Sequence, residues 1–209
     1  MASSSRDLAA KVVLLGEGRV GKTSLLLRYT RDAFDPNSQP TIQAAYLAKR
    51  VPRAAGAVAV QLALWDTAGQ ERFHALGPIY YRDADSALLV FDVTDLESFD
   101  KVKSWVRELR KMVRTPILLV IAGNKVDLEK DRVVSRQVAV EYAESVGAHY
   151  GETSAKTGRG VSELFGTLAS RLATGGTLRP GYGPTGGSSS LSVSTTQVDE
   201  GDSRGRGCC

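Results

Sequence analysis

The chain has 209 residues, of which 42% are hydrophobic and 24% are charged, and its formal net charge is +4. These values are typical of one soluble domain that can bury a core, and so small a basic excess does not predict a nucleic-acid partner. No apolar run approaches the roughly 20 residues of a transmembrane helix, and residues 1–8 (MASSSRDL) predict no signal peptide. The two cysteines, Cys208 and Cys209, end the chain, so we expect no disulfide in the folded part and a reducing compartment such as the cytosol.

Short apolar runs that alternate with helical repeats predict an α/β fold. The runs at residues 87–91 (ALLVF) and 117–122 (ILLVIA) are continuously apolar, which is typical of strands covered on both faces of a parallel sheet. Further strands are predicted at 11–15, 58–66 and 148–153, and helices at 24–29, 99–113 and 161–172. Such sheets have right-handed crossovers and bind ligands at the carboxyl ends of their strands.

The composition divides the chain into three parts. Residues 1–10 are an N-terminal extension, residues 11–174 contain the predicted strands and helices, and residues 175–209 are rich in glycine and serine. The last part has few large apolar residues and cannot bury enough surface to offset its ordering entropy, so we expect a flexible, disordered tail. Its charges cancel, and the net charge therefore belongs to the folded part.

The segment GEGRVGKT at residues 16–23 follows the first predicted strand and matches the phosphate-loop pattern G-x-x-x-x-G-K-[ST]. Glycines let backbone N–H groups point at phosphate oxygens, and the following helix N-terminus adds positive charge. Lys22 is expected to reach the β- and γ-phosphates of a nucleotide, and the Thr23 hydroxyl to bind Mg²⁺. A plain glycine turn between a strand and a helix is the alternative.

Three further polar motifs follow predicted strands and so belong to the same sheet edge: DTAGQ at 66–70, NKVD at 124–127 and SAK at 154–156. The carboxylate of Asp127 can accept hydrogen bonds from both N1–H and the 2-amino group of guanine, whereas adenine offers no such donor pair. An aspartate in such a loop is otherwise a turn former. The ordered coincidence of four motifs favours a guanine nucleotide site.

This ordered set, GEGRVGKT, Thr41, WDTAGQ, NKVD and SAK, resembles the small GTPases of the Ras superfamily. The segment IYYRDADSALLVFDVTDLESF and the terminal Gly-Cys-Cys are similar to the Rab family, and RFHALGPIYYRD and YAESVGA are most similar to its early-endosomal branch. The resemblance covers residues 11–173 and the last three. It implies a P-loop G domain with a six-stranded, mostly parallel sheet, one antiparallel edge strand near residues 44–51, and five helices.

The resemblance also implies which residues form the site. Thr23 and Thr41 would ligate Mg²⁺, Asp66 would hold it through water, and Gln70, as the catalytic residue, would orient the attacking water. The nucleotide would be contacted by residues from all of the motifs: Gly18, Val20, Gly21, Lys22, Thr23, Ser24, Phe34, Thr41, Gly69, Asn124, Lys125, Asp127, Ser154, Ala155 and Lys156.

Specific roles follow from the resemblance for the base-binding residues. Phe34 would lie against the base, and Asn124 would brace the phosphate loop. Lys125 would cover the plane of guanine, Asp127 would bind its edge, and the Ala155 N–H would meet its O6. The Gly69 N–H would touch the γ-phosphate.

The implied function is a GTP-binding and GTP-hydrolysing switch in vesicular membrane traffic. The loops at residues 35–46 and 67–80 would be ordered with GTP and loosened with GDP. Partners would be an exchange factor, an activating protein, a GDP dissociation inhibitor, a prenylation escort protein and effectors. The effectors would read the aromatic residues Tyr46, Trp65 and Tyr80, although the family usually has Phe where Tyr46 stands, and the domain would be monomeric.

The terminal Cys208 and Cys209 would each carry a geranylgeranyl group and hold the protein on the cytoplasmic face of intracellular membranes, at early endosomes, with a soluble cytosolic pool. Two lipids are expected because one chain gives only marginal binding. The alternative is two idle thiols or palmitoylation. For the whole protein, a P-loop small-molecule kinase and a non-hydrolysing GTP-binding scaffold are the other hypotheses.

Overall fold

The computed structural model describes residues 7–41, 44–52, 58–67, 82–113 and 115–175. Within them lie six strands, four α-helices and one 3₁₀ helix, Val126–Asp131. The strands are β1 (Leu8–Leu15), β2 (Ala45–Val51), β3 (Val60–Asp66), β4 (Ser86–Asp92), β5 (Leu118–Asn124) and β6 (His149–Glu152). The α-helices are α1 (Lys22–Arg31), α2 (Leu96–Met112), α3 (Arg136–Ser145) and α4 (Val161–Thr174).

The strands form one sheet in the order β2-β3-β1-β4-β5-β6. All neighbours are parallel except β2, which pairs antiparallel with β3 at the edge, Tyr46 opposite Trp65. The fold class predicted from the sequence, with its six strands, single antiparallel edge strand and five helices, is confirmed. Four α-helices and the 3₁₀ helix are the helical elements of the described residues.

Two apolar cores, one on each face of the sheet, explain why the central strands read as continuous apolar runs. Along β1, Val12 and Leu14 belong to the core under α1 and α4, whereas Val13 and Leu15 belong to the core under α2 and α3. Every residue of β4 is buried. A strand that packs on both faces needs apolar residues at odd and at even positions alike, so it loses the alternation of apolar and polar residues that a half-exposed strand shows.

Two local details differ from the sequence-based expectations. The strand predicted at 117–122 extends to Asn124, because the parallel ladder continues until Asn124 pairs with Asp92. The N-terminus of α2 is capped by Asp95, whose carboxylate accepts from the Glu97 and Ser98 N–H groups, rather than by Thr94. The Thr94 hydroxyl is instead bonded to Asp92 Oδ1 at 2.7 Å. The spacing of Thr94 and Glu97 in the sequence favours a capping box at this point, and that expectation is therefore wrong.

The parallel strands β1, β3, β4, β5 and β6 bring their carboxyl ends to one edge of the sheet. The phosphate loop follows β1, Asp66 ends β3, Asp92 ends β4, and Asn124 ends β5. This edge therefore collects the polar motifs. Among the described residues, no helix is long and apolar enough to cross a bilayer.

Candidate nucleotide-binding site

A cleft of about 730 Å³ opens at this edge of the sheet. Its walls are the loop between β1 and α1, the segment 34–41, and the loops after β5 and β6. Predicted site residues from every one of these segments line it: Gly18, Gly21, Lys22, Thr23, Ser24, Phe34, Thr41, Asn124, Lys125, Asp127, Ala155 and Lys156. Val20 and Ser154 lie behind this lining, both buried.

The phosphate loop curls around its own lysine. Lys22 is 5% exposed, and its Nζ donates to the carbonyl oxygens of Gly16 at 2.9 Å and Glu17 at 2.7 Å. Burial lowers the pKa of Lys22 to about 8, against the opposing attraction of Asp66 and Glu17. An anionic ligand in the cleft would favour the charged ammonium form and offset this burial cost.

Gly21 is at once a conformational and a steric requirement of the loop. Its φ is +93°, and a Cβ at this position would lie 2.5 Å from Nδ2 of Asn124. The close approach lets the Asn124 amide donate to the Val20 carbonyl at 2.9 Å. The glycine of the motif therefore joins the phosphate loop to the end of β5.

Three hard oxygen donors meet at the start of α1. The Thr23 hydroxyl lies 2.5 Å from Thr41 Oγ1 and donates to Asp66 Oδ2 at 2.6 Å. The other carboxylate oxygen of Asp66, Oδ1, is buried and has no hydrogen-bond partner among the described residues. Burial raises the pKa of Asp66, while the Thr23 hydroxyl and Lys22 lower it. Hydroxyl and carboxylate oxygens are ligands that Mg²⁺ prefers, and an unpartnered buried oxygen fits a cation there.

Asn124 connects three segments of the site. Its Nδ2 holds the Val20 carbonyl, and its Oδ1 accepts from the Thr153 hydroxyl and the Ala155 N–H, each at 3.2 Å. Asn124 is 1% exposed, so these bonds are made in a desolvated position. The N–H that the resemblance assigns to guanine O6 is thus already shared with Asn124.

The loop after β5 presents a cation and a carboxylate to the cleft. Lys125 adopts φ +67°, and its Nζ forms an ion pair with Asp92 Oδ2 at 2.6 Å. Asp127 is exposed, and its Oδ1 accepts from the buried Ser154 hydroxyl at 2.6 Å. The Ser154 Oγ in turn accepts from the Thr157 N–H. This chain of bonds orients the Asp127 carboxylate, which is the requirement for recognising two donors on one base edge.

Sequence reasoning missed two residues of this region. In the sequence, Asp92 directly follows an apolar run, where an aspartate favours a turn. Its Oδ1 does accept from the Thr94 N–H, but its other oxygen pairs with Lys125. Its position at a strand end was the available signal. Arg28 had no signal, because its contacts with Ala155 and Lys156 span 127 and 128 positions of the sequence.

The aromatic residues of the expected effector surface are placed in part. Tyr46 and Trp65 make an edge contact with ring centroids 5.3 Å apart, and Tyr46 is 52% exposed. Its hydroxyl therefore can be solvated. Gly69, Gln70, Tyr80, Cys208 and Cys209 lie outside the described residues, as does the N-terminal extension except for residues 7–10.

Comparison with known proteins places the chain among characterised sequences. A model described as the Ras family matches residues 11–174. The protein is 58% identical to "Ras-related protein Rab-21" of Bos taurus over 171 residues, which are 82% of this chain and 76% of the relative. It is 45% identical to Rab-21 of Dictyostelium discoideum over 204 residues, 95% of both chains, and 43% identical to Rab-5A of the same organism over 183 residues, 88% and 90% of the two chains.

Proposed function

The chain belongs to the Rab family of Ras-type small GTPases, in the branch of Rab-21 and Rab-5, and from this premise we propose that its GTP-hydrolysing switch serves early endocytic vesicle traffic. As a Rab protein it is a GTPase that acts in membrane trafficking. The observation that supports the site is the cleft that Lys22, Thr23, Thr41 and Asp127 line together, with Asp66 buried behind Thr23 and bonded to its hydroxyl. The family argues against both a small-molecule kinase and a non-hydrolysing scaffold.

The residues of the cleft divide the work of binding. Lys22 and the N–H groups of residues 18–24 hold the β- and γ-phosphates, where the positive end of α1 also points. Thr23, Thr41 and Asp66 would hold Mg²⁺, which would supply positive charge beside the phosphates. Asn124 bonds the phosphate loop to the loop after β6 and so keeps the two at a fixed distance. Lys125 and Phe34 enclose the base, and Asp127 binds its edge.

Hydrolysis and switching depend on contacts that exist only with a γ-phosphate. Gln70 orients the attacking water, and Thr41 and Gly69 bind groups that are lost when the γ-phosphate leaves. Unassisted hydrolysis is expected on the order of 10⁻⁴ to 10⁻² per second, and an activating protein would raise it by about 10³ to 10⁵. The GTP form recruits effectors through both switch loops and the Tyr46–Trp65–Tyr80 surface.

Regulators and a membrane anchor complete the proposal. The exchange factor, activating protein, GDP dissociation inhibitor and escort protein would act on the G domain of residues 11–174. Residues 175–209 would be the hypervariable tail that carries geranylgeranyl groups on Cys208 and Cys209. The proposed site of action is the cytoplasmic face of early endosomes, supported by the similarity to Rab-21 and Rab-5A.

The first test is the identity of the nucleotide that co-purifies with the protein. We expect GDP or GTP after denaturation and chromatography, and release of that nucleotide when EDTA removes Mg²⁺ from the native protein. Guanine nucleotide retained equally with and without EDTA would contradict the metal assignment of Thr23, Thr41 and Asp66. Adenine nucleotide would contradict the base assignment.

Gln70→Leu should prolong the GTP state. Without an amide to orient the water, hydrolysis stimulated by an activating protein should fall by about 10²-fold, measured as phosphate release in single turnover. The affinity for GDP should not change, which separates a catalytic defect from misfolding. A variant that keeps normal stimulated turnover would refute the role of Gln70.

The double variant Cys208→Ser, Cys209→Ser should bind nucleotide normally and remain in the soluble fraction of cells. Each single variant retains one lipid and should show weak, reversible membrane binding, because one chain is marginal at about 0.8 kcal/mol per buried CH₂. The measurement is membrane flotation of the three variants beside the unmodified chain. Undiminished membrane association of the double variant would count against lipid anchoring at these cysteines.

A further inference from the structure

The guanidinium of Arg28 joins α1 to the loop after β6, residues 153–160, which we call the base loop. Arg28 Nε donates to the Ala155 carbonyl at 2.8 Å, and its Nη2 donates to the Lys156 carbonyl at 2.9 Å. The remaining nitrogen, Nη1, donates to the carbonyl and the carboxylate of Asp32, at 3.0 and 2.8 Å. The Arg28 side chain is 18% exposed, whereas that of Asp32 is 91% exposed. The inner side of the fork, toward the loop, is therefore the more protected.

Ala155 is held from both sides. Its N–H donates to Asn124 Oδ1, and its carbonyl accepts from Arg28 Nε. Because the peptide groups on either side of Ala155 are both bonded, the direction of its N–H is determined by two distant side chains. Asn124 supplies one of these restraints from β5, and Arg28 supplies the other from α1.

The same helix also carries the phosphate-binding lysine. Lys22 begins α1, and Arg28 follows six positions later, about 9 Å along a helix axis. Arg28 therefore ties the base loop to the element that holds the phosphates. Only arginine presents several donors in one rigid plane, so two consecutive carbonyls can be bonded at once; lysine would replace them by one mobile donor.

We propose that Arg28 is a positioning residue for guanine recognition: by fixing the carbonyls of Ala155 and Lys156 it holds the Ala155 N–H, which donates to Asn124 Oδ1 at 3.2 Å, where O6 of the base can share it as a second acceptor. This proposal rests on the proposed guanine-nucleotide site. It predicts that the contribution of Arg28 is confined to ligands that carry O6. A residue that merely stabilises the loop would affect all purine nucleotides alike.

The experiment compares two nucleotides on three variants. Dissociation rates of GDP and of 6-thioguanosine diphosphate, which keeps N1–H and the 2-amino group but has sulfur, a weaker hydrogen-bond acceptor, in place of O6, are measured for Arg28→Ala, Arg28→Lys and Arg31→Ala. Arg31 is an exposed arginine on the same helix and serves as the matched control. We expect Arg28→Ala to accelerate GDP release by up to about tenfold, because the bond that is weakened, from the Ala155 N–H to O6, is an ordinary hydrogen bond between neutral groups. Release of the analogue should accelerate less than twofold. Arg28→Lys should be intermediate for GDP, and Arg31→Ala should match the unsubstituted protein.

Equal acceleration of both nucleotides by Arg28→Ala would overturn the proposal in favour of a purely structural role, and so would unchanged release of GDP. Should Arg28→Ala fold poorly, Arg28→Lys decides in the same way, through the ratio of the two release rates. Failure of the proposed function would look different, because the unsubstituted protein would then not bind GDP at all.

Discussion

Asp127→Asn should transfer the base preference of the cleft from guanine to xanthine. The Asp127 carboxylate offers acceptors for two donors, N1–H and the 2-amino group of guanine. The asparagine amide keeps one acceptor for N1–H and presents an NH₂ group to the 2-position. The 2-amino group of guanine would then face the asparagine NH₂ group, and two donors cannot bond. Xanthine has a carbonyl oxygen at the 2-position, which accepts from that NH₂ group, so xanthine becomes the matched base.

The orientation of residue 127 should survive this substitution. Ser154 Oγ donates to Oδ1 at 2.6 Å, and an asparagine Oδ1 accepts the same bond. Two charge-assisted hydrogen bonds are worth about 3 to 6 kcal/mol together, so the affinity for GDP should fall by about 10² to 10⁴. Competition of GDP and xanthosine diphosphate against a fluorescent nucleotide measures both effects.

Asp131→Asn is the matched control for this experiment. Asp131 ends the 3₁₀ helix that contains Asp127, and it is exposed. Asp131→Asn therefore removes one negative charge from the same region, but residue 131 does not line the cleft. Its GDP affinity should remain within about twofold of that of the unsubstituted protein, since an exposed charge contributes little. Asp127→Asn that retained its guanine preference would show that another group reads the base edge.

Local patterns explain why so much of the fold could be predicted from the sequence. The runs 87–91 and 117–122 are apolar at both parities because the strands are buried on both faces, and the phosphate loop is a contiguous motif whose geometry follows from its own glycines. The candidate residues of the four motifs were found because each motif ends or follows a strand, whereas Phe34 and Thr41 came only from the resemblance. Parallel topology then brings the strand ends together, whatever their separation in sequence.

Contacts that depend on tertiary packing could not be predicted in the same way. The ion pair of Asp92 with Lys125 and the bond of Arg28 to Ala155 join side chains whose sequence neighbourhoods also suit ordinary turns and helix surfaces. The start of α2 shows that neighbouring residues can also be hard to distinguish from sequence. Thr94 and Asp95 are both good capping residues, and only the bond of Thr94 to Asp92 decides between them.

Gly160→Ala should destabilise the fold more than any other single methyl group added to the base loop. Gly160 precedes α4 with φ +70°, and a Cβ there would lie 2.0 Å from the Glu152 carbonyl oxygen. This neighbour is backbone of β6, so either α4 or the strand must move. The Ser154 N–H donates to the Arg159 carbonyl at 2.9 Å, and the displacement would therefore reach the residues that orient Asp127 and Ala155.

Gly147→Ala separates this steric effect from the cost of the backbone conformation. Gly147 has φ +63°, close to the value at Gly160, but a Cβ there would meet nothing within 4 Å. Left-handed alanine costs about 1 to 2 kcal/mol at either position, and the backbone clash should bring the total at Gly160 to about 4 kcal/mol or more. Urea unfolding at saturating GDP measures both, and GDP release should accelerate only in Gly160→Ala. Equal free energies of unfolding for the two variants would mean that α4 accommodates the added methyl group without strain. The close approach of Gly160 to β6 would then not be what holds the base loop in place.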